Sequence, residues 1–325
     1  VRDVAAHEFF HIVTPLSIHS EEIHNFDFVN PKMSQHLWMY EGGTEYAAQH
    51  VQIKQGLVGI DHFLGTMSQK MRQADMFNPS IAFTTLSKTC LDENKPQYPN
   101  VYLKGALINM CLDMRLRSLS KGVYGIQDLM QGLSKKYGIT KPFKDKNLFK
   151  DIGKISGFPK EMADFFKRYV AGTEPLPYME YMKGMGILYQ EEGTITELSP
   201  FGFSLDGGGI TFNMEKGKIE LLEDGIDAFG KDILGLKGGD LLSKWQGKEL
   251  NMASLQNVLT EYMSSAKEGT ELKVTVLRKN DAGEYEEKEL SGALRKVPVV
   301  VAHALSVDEK ATAEQVKLRE AWLGN

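Results

Sequence analysis

The sequence has only two cysteines, no long apolar run and no excess of basic residues. Cys90 and Cys111 are too few for a disulfide framework and form no C-x-x-C metal-binding pair, so one bridge or two free buried thiols remain as options. No apolar run approaches the roughly 18–20 residues that a membrane-spanning helix needs. The longest, residues 297–305, is interrupted by His303 and is typical of a strand. The formal net charge of −5 argues against nucleic acid as the main partner.

The length of the chain predicts more than one folding unit. Its 325 residues exceed the size at which a single hydrophobic core keeps growing. After Leu188 the pattern changes from helical periodicity to short alternating segments separated by turn residues. We therefore predict a multi-domain α+β fold, with a mainly helical domain at residues 1–190, a small β-rich domain at 195–300 and a terminal segment at 301–325 that docks on the body.

The motif with the clearest chemistry is HEFFH, at residues 7–11. On a helix, two histidines four residues apart project from one face and can share one metal ion, and a neighbouring carboxylate can accept a proton from water. This is the H-E-x-x-H pattern of zinc peptidases, with His7 and His11 as metal ligands and Glu8 as general base. It predicts a helix at residues 1–14 that ends at the following proline. An amphipathic helix whose histidines bind no metal is the alternative.

A third ligand is expected on the next predicted helix, residues 32–56. An acidic residue on a following antiparallel helix is the usual third ligand for this motif, and Glu41 is the candidate. Gly42 and Gly43 follow it, and each costs a helix about 1 kcal/mol relative to alanine. Close approach of a substrate or of a facing helix would explain that cost. Glu45, one turn further on, is placed to contact a ligating histidine, although a solvated helix face would carry the same residue.

The loop predicted at residues 16–31 is another possible source of a ligand. It carries His19 and His24 among acidic residues, and we expect it to cross the mouth of the site. A metzincin needs a histidine six residues after the second histidine of the motif. Ser17 occupies that position, so the metzincin class is excluded.

HEFFH followed by WMYEGGTEY, at residues 38–46, resembles the glycyl aminopeptidase family of gluzincins, metallopeptidase family 61. The resemblance continues at residues 102–105, which read YLKG and are similar to the start of a helix shared with related aminopeptidases. Residues 165–178 are similar to the end of that family's catalytic domain. Residues 12–19 depart from the family, because they read IVTPLSIH where it often has tryptophan, asparagine and a basic run.

The resemblance implies a thermolysin-like helical catalytic half and an aminopeptidase that removes small N-terminal residues such as Gly or Ala from peptides. Zn²⁺ is the implied cofactor, and Glu41 is then its third protein ligand. The hydroxyl of Tyr102 would face the reacting carbonyl. The β-rich upstream half of the family is absent from this sequence. We therefore expect the chain to be the C-terminal part of a longer protein, with the groups that bind the substrate's amino terminus in the upstream half.

After residue 190 the sequence predicts strands, turns and one good helix. Residues 272–277 alternate as a half-buried strand does, and the turn NDAG at 280–283 leads into a second strand at 285–290, which predicts a hairpin. The helix is predicted at residues 252–264. A last helix, residues 307–323, is predicted to be capped by the acidic pair at 308 and 309.

This second half resembles a PDZ domain. Phe201, Gly202 and Phe203, followed by the glycine pair at 207 and 208, are similar to the GLGF loop that binds a peptide carboxylate, and residues 236–242 resemble the turn before a later hairpin. In such domains backbone N–H groups cap a C-terminal carboxylate while the peptide pairs with a strand edge. PDZ modules inside proteases also act purely as packing units, and both roles stay open here.

The leading hypothesis is a zinc aminopeptidase with an appended PDZ domain, acting on peptides. A first alternative is a zinc endopeptidase whose PDZ domain presents substrate C-termini. A second alternative is a peptide-binding scaffold with a structural zinc. Closed zinc sites have four protein ligands, so this last alternative needs a further ligand from His19 or His24.

Overall fold

The computed structural model describes residues 2–205, 208–251, 254–263 and 265–324, and the chain forms two compact units. The first unit contains residues 1–193 and 302–325, and the second contains residues 194–301. The predicted α+β class is confirmed, since helices dominate the first unit and a six-stranded sheet lies in the second. Within the part of the chain that the structure describes, no helix is long and apolar enough to cross a membrane.

The first unit is mainly helical. Its helices are α1 (Arg2–Phe10), α2 (Glu21–His24), α3 (Leu37–Lys54), α4 (Ile60–Ala74), α5 (Phe83–Thr89), α6 (Asn100–Leu119), α7 (Ile126–Lys136), α8 (Leu148–Ser156), α9 (Pro159–Phe165), α10 (Tyr178–Gly184) and, after the second unit, α12 (Ala313–Leu323). Apart from α1, whose Val4 and Phe9 are exposed, these helices contribute apolar side chains to one buried core, in which Trp38 and Tyr46 of α3 are almost completely enclosed. Cys90 and Cys111 are both buried in this core as free thiols.

The second unit contains an antiparallel sheet in the order β2-β3-β4-β6-β7, with β5 paired to β4. Its strands and helix are β2 (Ile210–Asn213), β3 (Lys218–Leu221), β4 (Leu241–Trp245), β5 (Lys248–Glu249), α11 (Leu255–Met263), β6 (Glu271–Lys279) and β7 (Tyr285–Ala293). A separate two-stranded sheet pairs β1 (Ile187–Leu198) with β8 (Lys296–Val307), and the chain passes between the units within these strands. The predicted ends of α11, Met252 and Ser264, lie outside the described residues.

The predicted hairpin is present as β6 and β7. The two strands pair without a break in register from Glu271 opposite Ala293 to Lys279 opposite Tyr285. Gly283 in the connecting turn has a φ of +81°, which is a conformation that glycine adopts without steric cost. The alternating residues Leu272, Val274 and Val276 are buried, as the period of two predicts.

The first helix is shorter than predicted, and His11 lies just beyond it. α1 ends at Phe10 because the backbone tightens there: the N–H of His11 donates to the carbonyl of Glu8 at 3.2 Å, three residues back instead of four. The chain then continues in turns through residue 17. The prediction of a helix over residues 1–14 is therefore wrong for residues 11–14.

Three other segments also differ from the sequence predictions. α3 begins at Leu37 and not at residue 32, because Asp145 holds the preceding segment by accepting from Ser34 Oγ and the N–H of Gln35, both at 2.8 Å. The predicted loop at 16–31 contains the short helix α2. The predicted helix at 307–323 is a strand up to Val307 and a helix only from Ala313, which Thr312 caps in place of the acidic pair.

The helices α3 and α6 approach each other closely at Gly42 and Gly105. A Cβ built on Gly105 would lie 2.8 Å from Gly42 Cα, and one built on Gly42 would collide with the backbone of Gly105. Gly43 is in a different position, since a Cβ there would meet Asn109 Oδ1 at 3.7 Å, an ordinary contact. Close approach of the facing helix therefore explains Gly42, which directly follows Glu41.

Gly42→Ala is expected to destabilise the protein by about 1–3 kcal/mol, because the methyl group must push two helix backbones apart. Gly43→Ala is the matched control: it makes the same change at the next residue where space exists, and it should stabilise by about 0.5–1 kcal/mol. Urea unfolding of both variants measures the difference. Equal stabilities would show that the helix crossing tolerates a side chain at position 42.

Candidate metal site

His7 is a buried histidine whose two ring nitrogens face two carboxylates. It lies on α1, which packs against α3, and α3 carries both Glu41 and Glu45 one turn apart. His7 Nδ1 lies 2.9 Å from Glu45 Oε2, and His7 Nε2 lies 3.3 Å from Glu41 Oε2. An ionised carboxylate can only accept, so Nδ1 carries a hydrogen in this arrangement. Nε2 is the nitrogen left to face Glu41.

His11 presents the same nitrogen to Glu41. Its Nδ1 lies 3.0 Å from the carbonyl oxygen of Thr14, and a carbonyl only accepts, so this nitrogen carries a hydrogen. Its Nε2 lies 3.6 Å from Glu41 Oε2. The two imidazole rings meet edge to face, with their centroids 4.8 Å apart. One oxygen of Glu41 therefore lies close to the Nε2 atoms of both histidines.

Glu8 brings a third carboxylate to the histidines, after Glu41 and Glu45. Donor atoms of His7, Glu8 and His11 lie within 4.8 Å of one another, so Glu8 competes with Glu41 for the place of a third ligand. The geometry favours Glu41 as ligand, because one of its oxygens lies within 3.6 Å of both Nε2 atoms. Glu8 is exposed to solvent, which suits a group that exchanges protons.

Lys70 on α4 pairs with Glu45 on the side away from His7. Its Nζ contacts Glu45 Oε1, and only 12% of the Lys70 side chain and 19% of the Glu45 side chain are exposed. Burial raises the pKa of Glu45, but the hydrogen bond with His7 and the ion pair with Lys70 lower it to about 2. Hydrogen bonds to Glu41 and Glu45 raise the pKa of His7 to about 9. Glu45 is therefore ionised at neutral pH.

Tyr102, at the start of α6, lies beside His7. The two ring centroids are 5.8 Å apart, and the hydroxyl of Tyr102 lies 3.1 Å from that of Tyr98. Burial, the hydrogen bond with Tyr98 and the nearby charges of Glu41 and Glu8 all raise the pKa of Tyr102. Its phenol therefore keeps its proton at neutral pH and can donate a hydrogen bond.

The donor set fits a divalent metal ion such as Zn²⁺. Two imidazoles and one carboxylate form a common three-residue zinc site in hydrolytic enzymes. The Nδ1 of each histidine is tied to an oxygen acceptor, which is the usual way in which a ligating histidine is oriented. The described residues thus offer two imidazole nitrogens and one carboxylate oxygen close together, with an oxygen acceptor behind each imidazole ring.

His19 and His24 do not join this cluster. His19 Nδ1 lies 2.9 Å from the carbonyl oxygen of Pro15, and His19 Nε2 lies 3.0 Å from His24 Nδ1. Over residues 2–205, 208–251, 254–263 and 265–324, the grouping of three potential ligands that the structure forms is that of His7, Glu8 and His11. A fourth protein ligand from His19 or His24 is thus not supported.

A cavity of about 660 Å³ adjoins the site within the first unit. Apolar side chains such as Phe10, Val13 and Met130 line much of it. Its wall includes Thr44, whose Oγ1 lies 3.4 Å from His7 Nε2, but neither motif histidine nor Glu41. The cavity therefore borders the histidine cluster without containing it.

The family model of the M61 glycyl aminopeptidases matches residues 1–108. Residues 1–108 are thus similar to the M61 glycyl aminopeptidases. This confirms the resemblance drawn from the HEFFH and WMYEGGTEY motifs. The M61 segment contains every residue that builds the site described above, namely His7, Glu8, His11, Thr14, Glu41, Glu45, Lys70, Tyr98 and Tyr102.

The fold of the chain is similar to that of a solved protein. The crystal structure of an aminopeptidase N family protein from Idiomarina loihiensis is 19% identical, with a TM-score of 0.60. The similarity covers 99% of this chain and 54% of that chain, so this chain spans about half the length of the solved protein. A search of the curated proteins finds no match.

The loop predicted to bind a peptide carboxylate lies in the second unit. Phe201 and Phe203 are buried, and their ring centroids lie 5.7 and 6.0 Å from that of Trp245. Both aromatic side chains thus pack in the hydrophobic core of the second unit. Gly207, part of the same predicted motif, lies outside the described residues.

Two backbone N–H groups of this loop already have acceptors. The N–H of Gly202 donates to Ser199 Oγ at 3.0 Å, and the N–H of Ser204 donates to the carbonyl of Gly225 at 2.8 Å. Neither is available to a peptide carboxylate in this arrangement. Peptide capture by the loop, and the PDZ resemblance itself, stay predictions.

Sequence reasoning missed Lys70 and Tyr98, which contact the predicted site residues. For Lys70 a signal was available: it follows Phe63 and Met67 at helical spacing, and both of these are buried. A lysine in an apolar stripe needs a partner for its charge. No pattern in the sequence identified Glu45 as that partner.

Proposed function

We propose that this chain carries the zinc site of an aminopeptidase. The observation that carries the proposal is the position of Glu41 Oε2, within 3.6 Å of Nε2 of both His7 and His11. Hydrogen bonds from Nδ1 of each ring leave the Nε2 atoms facing this oxygen. The M61 match over the same residues supports the assignment.

Each residue has a separate task in the proposed reaction. When bound, zinc lowers the pKa of water and polarises the substrate carbonyl. Glu8 is exposed and lies beside the histidines. It accepts a proton from water and then passes that proton to the leaving amine. Tyr102 keeps its proton and donates a hydrogen bond to the carbonyl oxygen as negative charge develops there. Glu45 and the Thr14 carbonyl hold the two imidazole rings in orientation.

The proposed substrate is a peptide with a free amino terminus and a small first residue, Gly or Ala. The match of residues 1–108 to the M61 glycyl aminopeptidases supports this choice. Because the chain spans about half of its solved relative, the activity is proposed for the protein to which this site belongs. An endopeptidase with the same site is the second candidate, and it differs only in not needing the free amine.

A paired hydrolysis assay tests the proposal. We expect the whole protein to which this site belongs, purified without chelator, to contain one zinc per chain and to cleave a peptide that begins with Gly or Ala. The same peptide with an acetylated amino terminus should not be cleaved, since acetylation removes the charged amine. A peptide that begins with leucine is the control for side-chain size.

Two results would contradict the proposal in different ways. Absence of zinc by metal analysis would remove the proposed chemistry altogether. Equal cleavage of the free and acetylated peptides would keep the zinc chemistry and assign the protein to the endopeptidases.

A further inference from the structure

The ion pair between Lys70 and Glu45 lies next to His7, and Lys70 stands outside the motifs that predicted the site. We propose that Lys70 is a positioning residue of the metal site: it fixes the Glu45 carboxylate against Nδ1 of His7 and so sets the orientation of the imidazole ring. The inference rests on the proposed function, because it takes His7 to be a metal ligand.

Both carboxylate oxygens of Glu45 have a hydrogen-bonding partner. Oε1 receives the ammonium group of Lys70, and Oε2 lies 2.9 Å from His7 Nδ1. A lysine ammonium group donates and never accepts, so Oε1 must act as an acceptor. With one oxygen held on α4, the other cannot rotate away from the histidine without breaking the ion pair.

The burial of the three side chains makes this contact strong enough to position a ring. The exposed fraction is 12% for Lys70, 19% for Glu45 and 9% for His7. Ion pairs in full contact with water contribute little, whereas loss of one partner from a buried pair leaves an uncompensated charge. Without Lys70, the charged carboxylate of Glu45 is better solvated when it turns toward water. His7 Nδ1 then loses its hydrogen-bond acceptor.

The lysine is itself held in place. α4 directs the buried side chains of Phe63 and Met67 into the core, and Lys70 follows them on the same face of the helix. Its aliphatic stem is therefore enclosed, and only the ammonium group reaches Glu45. His11 is oriented in a different way, because its Nδ1 uses the backbone carbonyl of Thr14 in the adjacent turn.

Lys70 also has a second effect on metal affinity, opposite in direction to that of positioning. Its positive charge repels a divalent cation, so removal of the charge alone would strengthen metal binding. Positioning and repulsion therefore predict changes in metal affinity in opposite directions, and one measurement separates them.

The experiment measures Zn²⁺ and Co²⁺ affinity of the metal-free protein by competition with a chromophoric chelator. Lys70→Met keeps the apolar stem and removes the ammonium group, and we expect it to weaken metal binding about 10–100-fold. Lys70→Arg keeps charge and donors and should retain most of the affinity. Lys54→Met is the matched charge control, because Lys54 lies on α3, is partly buried and donates to the carbonyl of Ala321.

The outcomes separate this inference from the proposed function. If the wild-type protein binds neither ion, the proposed function fails. If the wild type binds and Lys70→Met binds equally or more tightly, only the role of Lys70 is overturned. Should Lys70→Met fail to fold by circular dichroism, Lys70→Gln, which keeps a donor without the charge, is measured in its place with the same expectation.

Discussion

Glu8→Gln is expected to lower kcat for hydrolysis of the Gly- or Ala-peptide by about 10²–10⁴-fold, the usual contribution of a general base. The amide has the size of the carboxylate but cannot accept a proton at neutral pH. Metal content should stay unchanged, because the three proposed ligands are untouched. The stability should also change little, since Glu8 is exposed. The measurement is peptide hydrolysis together with zinc analysis of the same preparation.

Asp3→Asn is the matched control for Glu8→Gln. It neutralises another carboxylate on α1, one that accepts from Gln52 Nε2 at 2.9 Å, a bond that the amide oxygen retains. Its activity should equal that of the wild type. Wild-type turnover by Glu8→Gln would show that another group takes the proton. Loss of zinc from Glu8→Gln would instead identify Glu8 as a ligand, a role that its distance from the histidines also permits.

Short-range patterns carried most of what could be predicted about the site. The histidine spacing and the WMYEGGTEY block each lie within about three helical turns, so local geometry determines which side chains share a face. The structure brings His7, His11, Glu41, Glu45 and Tyr102 together, although His7 and Tyr102 are 95 positions apart in the chain (102 − 7). The α+β class followed from the change of period after Leu188 for the same local reason.

Features set by distant partners could not be predicted in the same way. α3 begins late because Asp145, which follows α7 in the chain, binds the residues before it. Gly42 owes its place to the backbone of Gly105, and no rule of helix propensity distinguishes it from Gly43. Such effects depend on which surfaces meet in three dimensions.

One error had a local signal that was overlooked. Thr312 and Gln315 form a capping box, in which each side chain bonds the backbone of the other residue, and this pattern marks the start of α12. Asp308 and Glu309 were predicted to serve as the cap, but the strand β8 extends to Val307 and places them in the turn that follows. The valine-rich run before them favours a strand.

Glu41→Gln is expected to weaken zinc binding by more than the roughly 10–100-fold that loss of a residue behind a ligand costs. The amide oxygen is neutral, so it is a much poorer partner for a cation than the carboxylate that now faces both Nε2 atoms. Peptide hydrolysis should fall in parallel at zinc concentrations below the new dissociation constant. Competition with a chromophoric chelator measures the affinity.

Glu45→Gln is the matched control, one turn along the same helix, and it distinguishes a ligand from a residue that orients one. It removes the same charge but leaves all three proposed ligands, so its zinc affinity should fall less than that of Glu41→Gln. The reverse order would make Glu45 the more important group. Retention of zinc by Glu41→Gln, combined with its loss from Glu8→Gln, would exchange the two roles, since both carboxylates approach the same pair of histidines. The two variants therefore decide together which carboxylate binds the metal and which moves the proton.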